Sequence, residues 1–294
     1  MNSQLLKILV YLVLVLLSLN AMSCAKNTEL PKNLNNDKVV ARNIIGGVSA
    51  TAQFQKKNGL VLLAIHSENG DGAICTGTLI SKRLVLTAAH CVDESVSKIN
   101  MVILHFTESL EAANDTTFRM AAEWRLHELF LSSSANNAPS WHDIALIKLD
   151  QDAPANMSFA RLAPSIQLPL GAGVLQAGYG VTVGATVGVT AGATTISARA
   201  PLDTDTKLRT INGIKLIGMS TDWNELIFKQ GTKGACDGDS GGPAFIKSAD
   251  GQLTQVGVAS RVTPGCIDIS RYANVAEYSV WIQKNSMLLM AEDL

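Results

Sequence analysis

The sequence is poor in aromatic and charged side chains, and this scarcity narrows the possible folds and partners. Aromatic residues make up 5% of the 294 residues and charged residues 17%, while glycine occurs 23 times among many Val, Ile, Leu and Thr residues. This composition favours β-structure over a helical bundle. The formal net charge is −1, and no run of Lys or Arg stands out. Nucleic acid is therefore not expected as a partner, because phosphate binding needs a basic surface.

The amino terminus carries an apolar run from Ile8 to Leu17, preceded by Lys7. The run is short for a membrane span and has the length of a signal-peptide core. We therefore predict that residues 1–23 are a signal peptide and that the protein is exported to a compartment where disulfides persist. Residues 24–43 are polar and are predicted to be a flexible tether or pro-segment.

The segment Gly234-Ala-Cys-Asp-Gly-Asp-Ser-Gly-Gly-Pro243 places Ser240 among small residues. Such a backbone can turn sharply and aim its amides outward. A serine hydroxyl is a poor nucleophile unless a base and an anion-stabilising pocket act with it. Taken alone, the segment is equally typical of a glycine-rich turn, so other segments must decide.

A base and an orienting carboxylate are available upstream. His90 lies in Leu86-Thr-Ala-Ala-His-Cys91, and Asp143 opens an apolar, strand-like run that continues to Leu149. Taken alone, His90 is also typical of a structural histidine, and Asp143 is also typical of a solvent-facing aspartate at a strand end. Together, the carboxylate could hold the imidazole in the tautomer that accepts the serine proton. The order His, Asp, Ser along the chain is one of the known orders of such triads.

These motifs together resemble the chymotrypsin/trypsin-like serine protease family. The matching segments are Ile44-Ile-Gly-Gly47, Thr87-Ala-Ala-His-Cys91, Asp143-Ile-Ala-Leu146 and Gly238-Asp-Ser-Gly-Gly-Pro243. The resemblance implies a serine endopeptidase that forms an acyl-enzyme, with His90, Asp143 and Ser240 as catalytic residues. It also implies protein or peptide substrates, a monomer, and no cofactor or metal.

The same resemblance implies an all-β, chymotrypsin-like fold of two six-stranded antiparallel β-barrels with a C-terminal α-helix. Strand-like segments separated by turn residues independently favour a barrel or a sandwich. We expect the peptidase domain to span 44–294, with the first barrel at about 44–165 and the second barrel and helix at about 166–294. The helix is predicted from Tyr272 to Met287 by its apolar spacing.

Four of the five cysteines have partners implied by the family resemblance. These are Cys75 with Cys91, and Cys236 with Cys266. Zinc is an alternative use of four cysteines, but the sequence has no Cys-x-x-Cys spacing.

The fifth cysteine, Cys24, follows the apolar run directly and resembles a bacterial lipoprotein acceptor site. That resemblance predicts a bacterial protein held in the cell envelope by a lipid tether in the membrane. Ala21-Met-Ser23 can equally be an ordinary cleavage site, which would give a secreted or periplasmic protein without an anchor.

The family resemblance also predicts how the enzyme becomes active. Cleavage before Ile44 would free an amine that pairs with Asp239 and orders the adjacent loop. Because Asn43 precedes the cleavage position, the activating cut is predicted to follow a non-basic residue. The backbone amides of Gly238 and Ser240 are predicted to form the oxyanion hole.

Four residues are assigned by resemblance to the substrate pocket: Gly234, Ser260, Val262 and Ser270. Trypsin-type enzymes carry an aspartate at the position of Gly234, so a preference for Arg or Lys is not favoured. Since Val262 would narrow the pocket, small or medium apolar side chains are predicted at P1, the substrate residue before the cleaved bond. Two alternatives stay open: Asp268 entering the pocket to give trypsin-like specificity, and a catalytically silent binding module.

Overall fold

The computed structural model describes residues 44–95, 97–132, 141–165, 168–180, 206–231, 233–248 and 250–291, and the backbone of 189–190 and 193–194. The predicted signal peptide, the tether with Cys24 and the cleavage position after Asn43 lie outside these residues. Within the described ranges, no helix has both the length and the apolar character needed to cross a membrane.

The described residues are mostly strands. The strands are β1 (Val48–Ser49), β2 (Leu60–Ser67), β3 (Gly72–Leu79), β4 (Leu84–Thr87), β5 (Ile99–His105), β6 (Phe118–Leu126), β7 (Ala145–Leu149), β8 (Arg161–Leu162), β9 (Gly173–Gly178), β10 (Val189–Thr190), β11 (Ala193–Thr194), β12 (Arg209–Ser220), β13 (Glu225–Gly231), β14 (Pro243–Lys247), β15 (Leu253–Val262) and β16 (Asp268–Asn274). The helices are α1 (Ala52–Lys57) and α2 (Ser279–Met290), with 3₁₀ turns at Ala89–Val92, Leu110–Ala112 and Pro264–Cys266.

The first barrel closes in the order β2-β3-β4-β7-β6-β5, with antiparallel neighbours throughout. The position of β2 between the two barrels explains why its sequence is apolar throughout and does not alternate between apolar and polar residues. Val61 and Leu63 belong to the cluster that fills the barrel, whereas Leu60 and Leu62 pack with Phe245 of the second barrel. Since successive side chains point to opposite faces, β2 buries both of its faces.

The second barrel consists of β9, β12, β13, β16, β15 and β14, and it closes because β9 pairs with both β12 and β14. The predicted architecture of two six-stranded antiparallel barrels with a C-terminal helix is thus confirmed. The boundary differs from the prediction at its edges. Strand β1 pairs with β12 and β8 runs parallel to β15, so both short strands, placed by sequence in the first barrel, extend the second.

The C-terminal helix begins later than predicted. Tyr272 lies in β16, where it pairs with Leu226 and Ala259, and helix α2 starts only at Ser279. The apolar residues before the helix are strand and turn residues of the barrel, so their spacing imitated a helical period. Side chains of α2, including Trp281, pack into the cluster of the first barrel. The helix therefore packs against the first barrel although it follows the second in the chain.

Candidate active site

His90 is presented by the 3₁₀ turn that follows β4. The turn is fixed on both sides: Ala88 and Ala89 are fully buried, and the disulfide between Cys75 and Cys91 joins the turn to β3. Small residues before the histidine let the chain turn tightly against the barrel. About a third of the His90 side chain stays exposed, so the ring is accessible.

Asp143 lies immediately before β7 and is 2% exposed. Its carboxylate accepts three hydrogen bonds: from His90 Nδ1 to Oδ2 at 2.7 Å, from the His90 amide to Oδ1 at 2.9 Å, and from Ser260 Oγ to Oδ2 at 2.6 Å. A buried carboxylate is stable only when hydrogen-bonded and paired in this way. The backbone and the side chain of His90 are thereby both held by one aspartate from a distant segment.

The environment sets the protonation of this pair. Burial alone would lower the pKa of His90, but the charge of Asp143 and its hydrogen bond outweigh burial and raise that pKa. Burial raises the pKa of Asp143, yet the charge of His90 and the hydrogen bonds from His90 and Ser260 outweigh it, so that the pKa falls. Asp143 is therefore ionised, and it stabilises a positive charge on the imidazole.

Ser240 comes from the loop between β13 and β14 and is half-buried beside the histidine turn. The Thr76 amide donates to the Ser240 carbonyl at 2.8 Å. Cys91 Sγ lies 3.8 Å from that carbonyl oxygen and 3.9 Å from His90 Nε2. Within the described part of the chain, no direct hydrogen bond joins Ser240 Oγ to the His90 ring, and such bonds often tighten only with substrate.

A glycine after Ser240 is required by close packing between the two barrels. Gly241 has φ +80°, and a Cβ there would clash with the Thr76 carbonyl and lie 2.9 Å from the Ala88 amide nitrogen. Its amide donates to the Ala259 carbonyl at 2.8 Å. The serine loop therefore docks on the histidine turn through backbone contacts that any side chain would prevent.

The loop also presents two backbone amides. Gly238 adopts φ +89°, and Thr76 Oγ1 donates to its carbonyl at 3.0 Å, which fixes the orientation of that peptide. Among the described residues, the amides of Gly238 and Ser240 donate to no partner. These two unpaired amides have one residue between them and lie beside a serine hydroxyl, so they can donate hydrogen bonds to a developing oxyanion.

Asp239 points away from solvent and is 2% exposed. Its carboxylate accepts hydrogen bonds from the amides of Gly180 and Cys236, both at 2.9 Å. Burial raises the pKa of Asp239 to about 7 despite those bonds. Ile44 is also buried, and the next residue forms a two-bond bridge with the backbone of Gly234.

A family model described as Trypsin matches residues 44–282. The chain belongs to the trypsin family. Brachyurin from Leptuca pugilator is 27% identical over 82% of this chain and 97% of its own length. A chymotrypsin from Phaedon cochleariae is 30% identical over 72% of this chain and 72% of its own. Together these matches show that the protein is a serine endopeptidase.

The solved structure of HL collagenase is similar to this chain with a TM-score of 0.61 and 21% identity. The match covers 82% of this chain and 98% of that one. It supports the trypsin-family fold and, at this identity, the fold alone. The two disulfides agree with an extracellular location for this trypsin-family protein, because such bonds persist in oxidising compartments.

The four predicted pocket residues of this trypsin-family chain lie on neighbouring segments. Val262 of β15 pairs with Ser270 of β16, and Ser260 stands two residues earlier on β15. Gly234 begins the serine loop, which the disulfide between Cys236 and Cys266 joins to the turn after β15. Ser270 is fully buried, whereas Val262 and Ser260 are partly or largely covered.

The alternative of trypsin-like specificity requires Asp268 to enter the pocket. Its side chain is half exposed and forms an ion pair with Lys229 on the neighbouring strand. A carboxylate engaged at the surface does not supply the buried negative charge that a bound Arg or Lys would need.

Two features near the site carried no recognisable signal in the sequence. Glu225, 3% exposed, is bound by both Arg261 and Arg271, with Arg261 Nη2 at 2.9 Å from Oε2. Gln230 is buried behind Gly234 and donates to two carbonyls. Glu225 and Gln230 both lie on β13, but their partners come from β15, β16, the serine loop and the turn after β15, so only the tertiary structure brings these groups together.

Two groups of possible metal ligands occur among the described residues. They are Cys75 with His90 and Cys91, and Cys236 with Asp237 and Cys266. In each group both cysteines are joined in a disulfide. Because metal binding requires a free thiolate, neither group is a plausible metal centre.

Proposed function

We propose that this endopeptidase cleaves peptide bonds through His90, Asp143 and Ser240, acting as a monomer without a cofactor. The observation that carries the proposal is the hydrogen-bonded Asp143, which orients His90 toward the side from which the serine loop approaches. His90 Nε2 would accept the hydroxyl proton while Ser240 Oγ attacks the substrate carbonyl. The tetrahedral oxyanion would be held by the amides of Gly238 and Ser240.

The collapse of that intermediate would leave an acyl group on Ser240 and release the amine, which takes the proton from His90. Water, deprotonated by the same imidazole, would then hydrolyse the ester. A fluorophosphonate probe tests this proposal, since it labels only an activated serine. Labelling of wild type that is lost in Ser240→Ala is expected. An unlabelled, fully processed wild type would instead favour a catalytically silent binding module.

We further propose that the protein is made as a zymogen and is activated by cleavage between Asn43 and Ile44. Support comes from Asp239, a carboxylate whose pKa burial raises to about 7, although two backbone hydrogen bonds and the charge of Arg209 lower it. The freed amine of Ile44 would supply a pairing cation, since Ile44 is already buried against the second barrel. Amino-terminal sequencing of active enzyme tests this, and a start at Asn43 or earlier would refute it.

For the P1 residue we propose a preference for small or medium side chains, the size range of the apolar P1 residues that the sequence predicts. Gly234 supplies no charged side chain, Val262 narrows the pocket, and Asp268 is paired with Lys229 at the surface. Peptides that differ only at P1, ending in Ala, Val, Leu, Phe or Arg, test the preference. Fast cleavage after Arg would overturn it in favour of trypsin-like specificity.

We also propose that a signal peptide exports the protein and that Cys24 anchors it to the bacterial cell envelope through a lipid. The named relatives come from animals, so the bacterial origin rests on the Cys24 segment alone. Labelling with palmitate, compared between wild type and Cys24→Ala, tests the anchor. Absence of label from wild type would leave a secreted protein without an anchor.

A further inference from the structure

The buried amide of Gln230 is held in one orientation. The side chain is 5% exposed, and its Nε2 donates to the Ala235 carbonyl at 3.1 Å and to the Cys266 carbonyl at 3.0 Å. Both hydrogens of the amide nitrogen are thus used. If the amide were flipped, Oε1 would face these two carbonyl oxygens, and neither of them can donate a hydrogen bond. Oε1 must therefore point away from both carbonyls.

The oxygen of that amide has no partner. Gln230 Oε1 is buried and accepts no hydrogen bond. Buried acceptors are nearly always paired, because leaving one unpaired loses the hydrogen bonds it made with water. A group that donates to Oε1 would therefore bind more favourably than an apolar group of the same shape.

Gln230 occupies the space into which a side chain at position 234 would project. Gly234 has φ +143°, and a Cβ built on it would clash with Oε1 and lie 2.8 Å from Cδ of Gln230. The family resemblance assigns position 234 to the floor of the pocket proposed above. At that position the amide of Gln230 fills the space that a side chain of residue 234 would take.

The two carbonyls that hold Gln230 belong to the two sides of the same pocket. Ala235 lies in the serine loop, and Cys266 ends the turn after β15 and is joined to the loop through Cys236. The nearby Ser270 hydroxyl accepts from Gln176 Nε2 at 3.4 Å, which leaves its own hydrogen available to donate. Gln230 thus connects the two sides of the pocket, and its Oε1 remains as an unpaired acceptor.

We propose that Gln230 determines specificity by accepting a hydrogen bond from the P1 side chain. The favoured P1 residue is then a medium-sized one with an uncharged donor at its tip, such as Gln, Asn or Thr. This inference rests on the proposed function; it keeps the preference for small or medium P1 side chains and departs from the sequence prediction that they are apolar. The amide oxygen itself is neutral, so it does not supply the negative charge that would select Arg or Lys.

Pairs of peptide substrates with matched P1 shapes test the inference in the activated enzyme. The pairs are Gln with Met, Asn with Leu, and Thr with Val. We expect kcat/KM to favour the donor in each pair by about tenfold or more, since a site with a buried acceptor disfavours a ligand that cannot pair with it. A ratio of one or less in all three pairs would overturn the inference.

The variant Gln230→Met removes the acceptor while keeping the length of the side chain. Its donor-to-apolar ratio is expected to fall to about one, with active enzyme counted by fluorophosphonate titration. The matched control is Gln55→Met, since Gln55 is equally buried, also has an unpaired Oε1 and lies outside the pocket. It should lower stability without changing the ratio, and a change in both variants would contradict a role specific to Gln230.

The outcomes separate this inference from the proposed function. Without Ser240-dependent labelling or cleavage, the proposed mechanism fails and P1 preference has no meaning. With Ser240-dependent cleavage but no preference for donors in wild type, the mechanism stands and only the role of Gln230 fails. The wild-type ratios decide this even if Gln230→Met does not fold.

Discussion

The two barrels hold the polar groups of the candidate site in different states of hydrogen bonding. On the side of the first barrel, Asp143 accepts three hydrogen bonds and His90 is held at two atoms. On the side of the second barrel, Asp239 has a pKa raised to about 7 and Gln230 Oε1 has no partner. The first side is organised by hydrogen bonds within the fold, whereas the second side holds the groups on which the proposed activation and specificity depend.

This difference separates two kinds of function. A base that must act on many substrates benefits from fixed geometry that costs no reorganisation during the reaction. Activation and specificity need a group whose energy changes when a new partner arrives. The two sides can therefore be tested by changes that affect one and spare the other.

The largest expected effect comes from removing the reacting groups. Ser240→Ala and His90→Ala should each lower kcat by roughly 10⁴- to 10⁶-fold, and the double variant should be little worse, since the two residues act as a unit. Steady-state kinetics on peptide substrates measure this. Melting temperatures close to wild type would show that the loss is chemical, and additive losses would contradict a shared role.

The next effect separates the charge of Asp143 from the hydrogen bond that Ser260 donates to it. Asp143→Asn should lower kcat by about 10⁴-fold because the amide stabilises the wrong imidazole tautomer. Ser260→Ala removes one neutral donor and should cost only about tenfold. Equal losses in the two variants would mean that Ser260, rather than the charge, positions His90.

Asp239 should make the uncleaved chain sensitive to pH. Its folded pKa of about 7 exceeds the ordinary value of 3.8, so the fold binds more protons than the unfolded chain between these values. Stability should therefore fall as pH rises through this range, by about 4 kcal/mol at most, and then level off. Chemical unfolding of uncleaved Ser240→Ala measures this, with Ser240→Ala/Asp239→Asn as the matched control.

The same experiment sharpens the zymogen proposal. Once the chain begins at Ile44, the freed amine should keep Asp239 ionised, and the fall in stability should disappear. Cleaved Ser240→Ala, prepared with an added protease site, is the comparison. An identical pH dependence before and after cleavage would mean that the amine does not reach Asp239.

The smallest expected effect is the loss of activity at low pH. Asp143 raises the pKa of His90 above its ordinary value of 6.5, and only the neutral ring can accept the serine proton. Activity should therefore be lost as pH falls through a pKa above 6.5, about tenfold per pH unit below it. A midpoint below 6.5 in kcat/KM would show that burial outweighs the aspartate.

Much of the site was predictable because its chemistry depends on short motifs. His90, Asp143 and Ser240 each stand in a segment whose small or apolar neighbours indicate a turn or a strand end. The strands at β2 and β5 were also predictable, since their apolar runs are bounded by turn residues. The start of α2 was not, because Tyr272 and Val275 belong to the barrel and its turn yet have helical spacing.

Through its resemblance to the trypsin family, the sequence by itself predicted the two-barrel fold, the candidate residues His90, Asp143 and Ser240, and the two cysteine pairs, because the motifs that carry that resemblance are short and local. Tertiary structure decided which polar groups are paired at the pocket. Gln230, Asp268 and Glu225 are all ordinary polar residues of strands, and strand register alone put the first behind Gly234, the second at the surface and the third between two arginines. Burial and pairing are properties of neighbours distant in the chain, so no local pattern could reveal them.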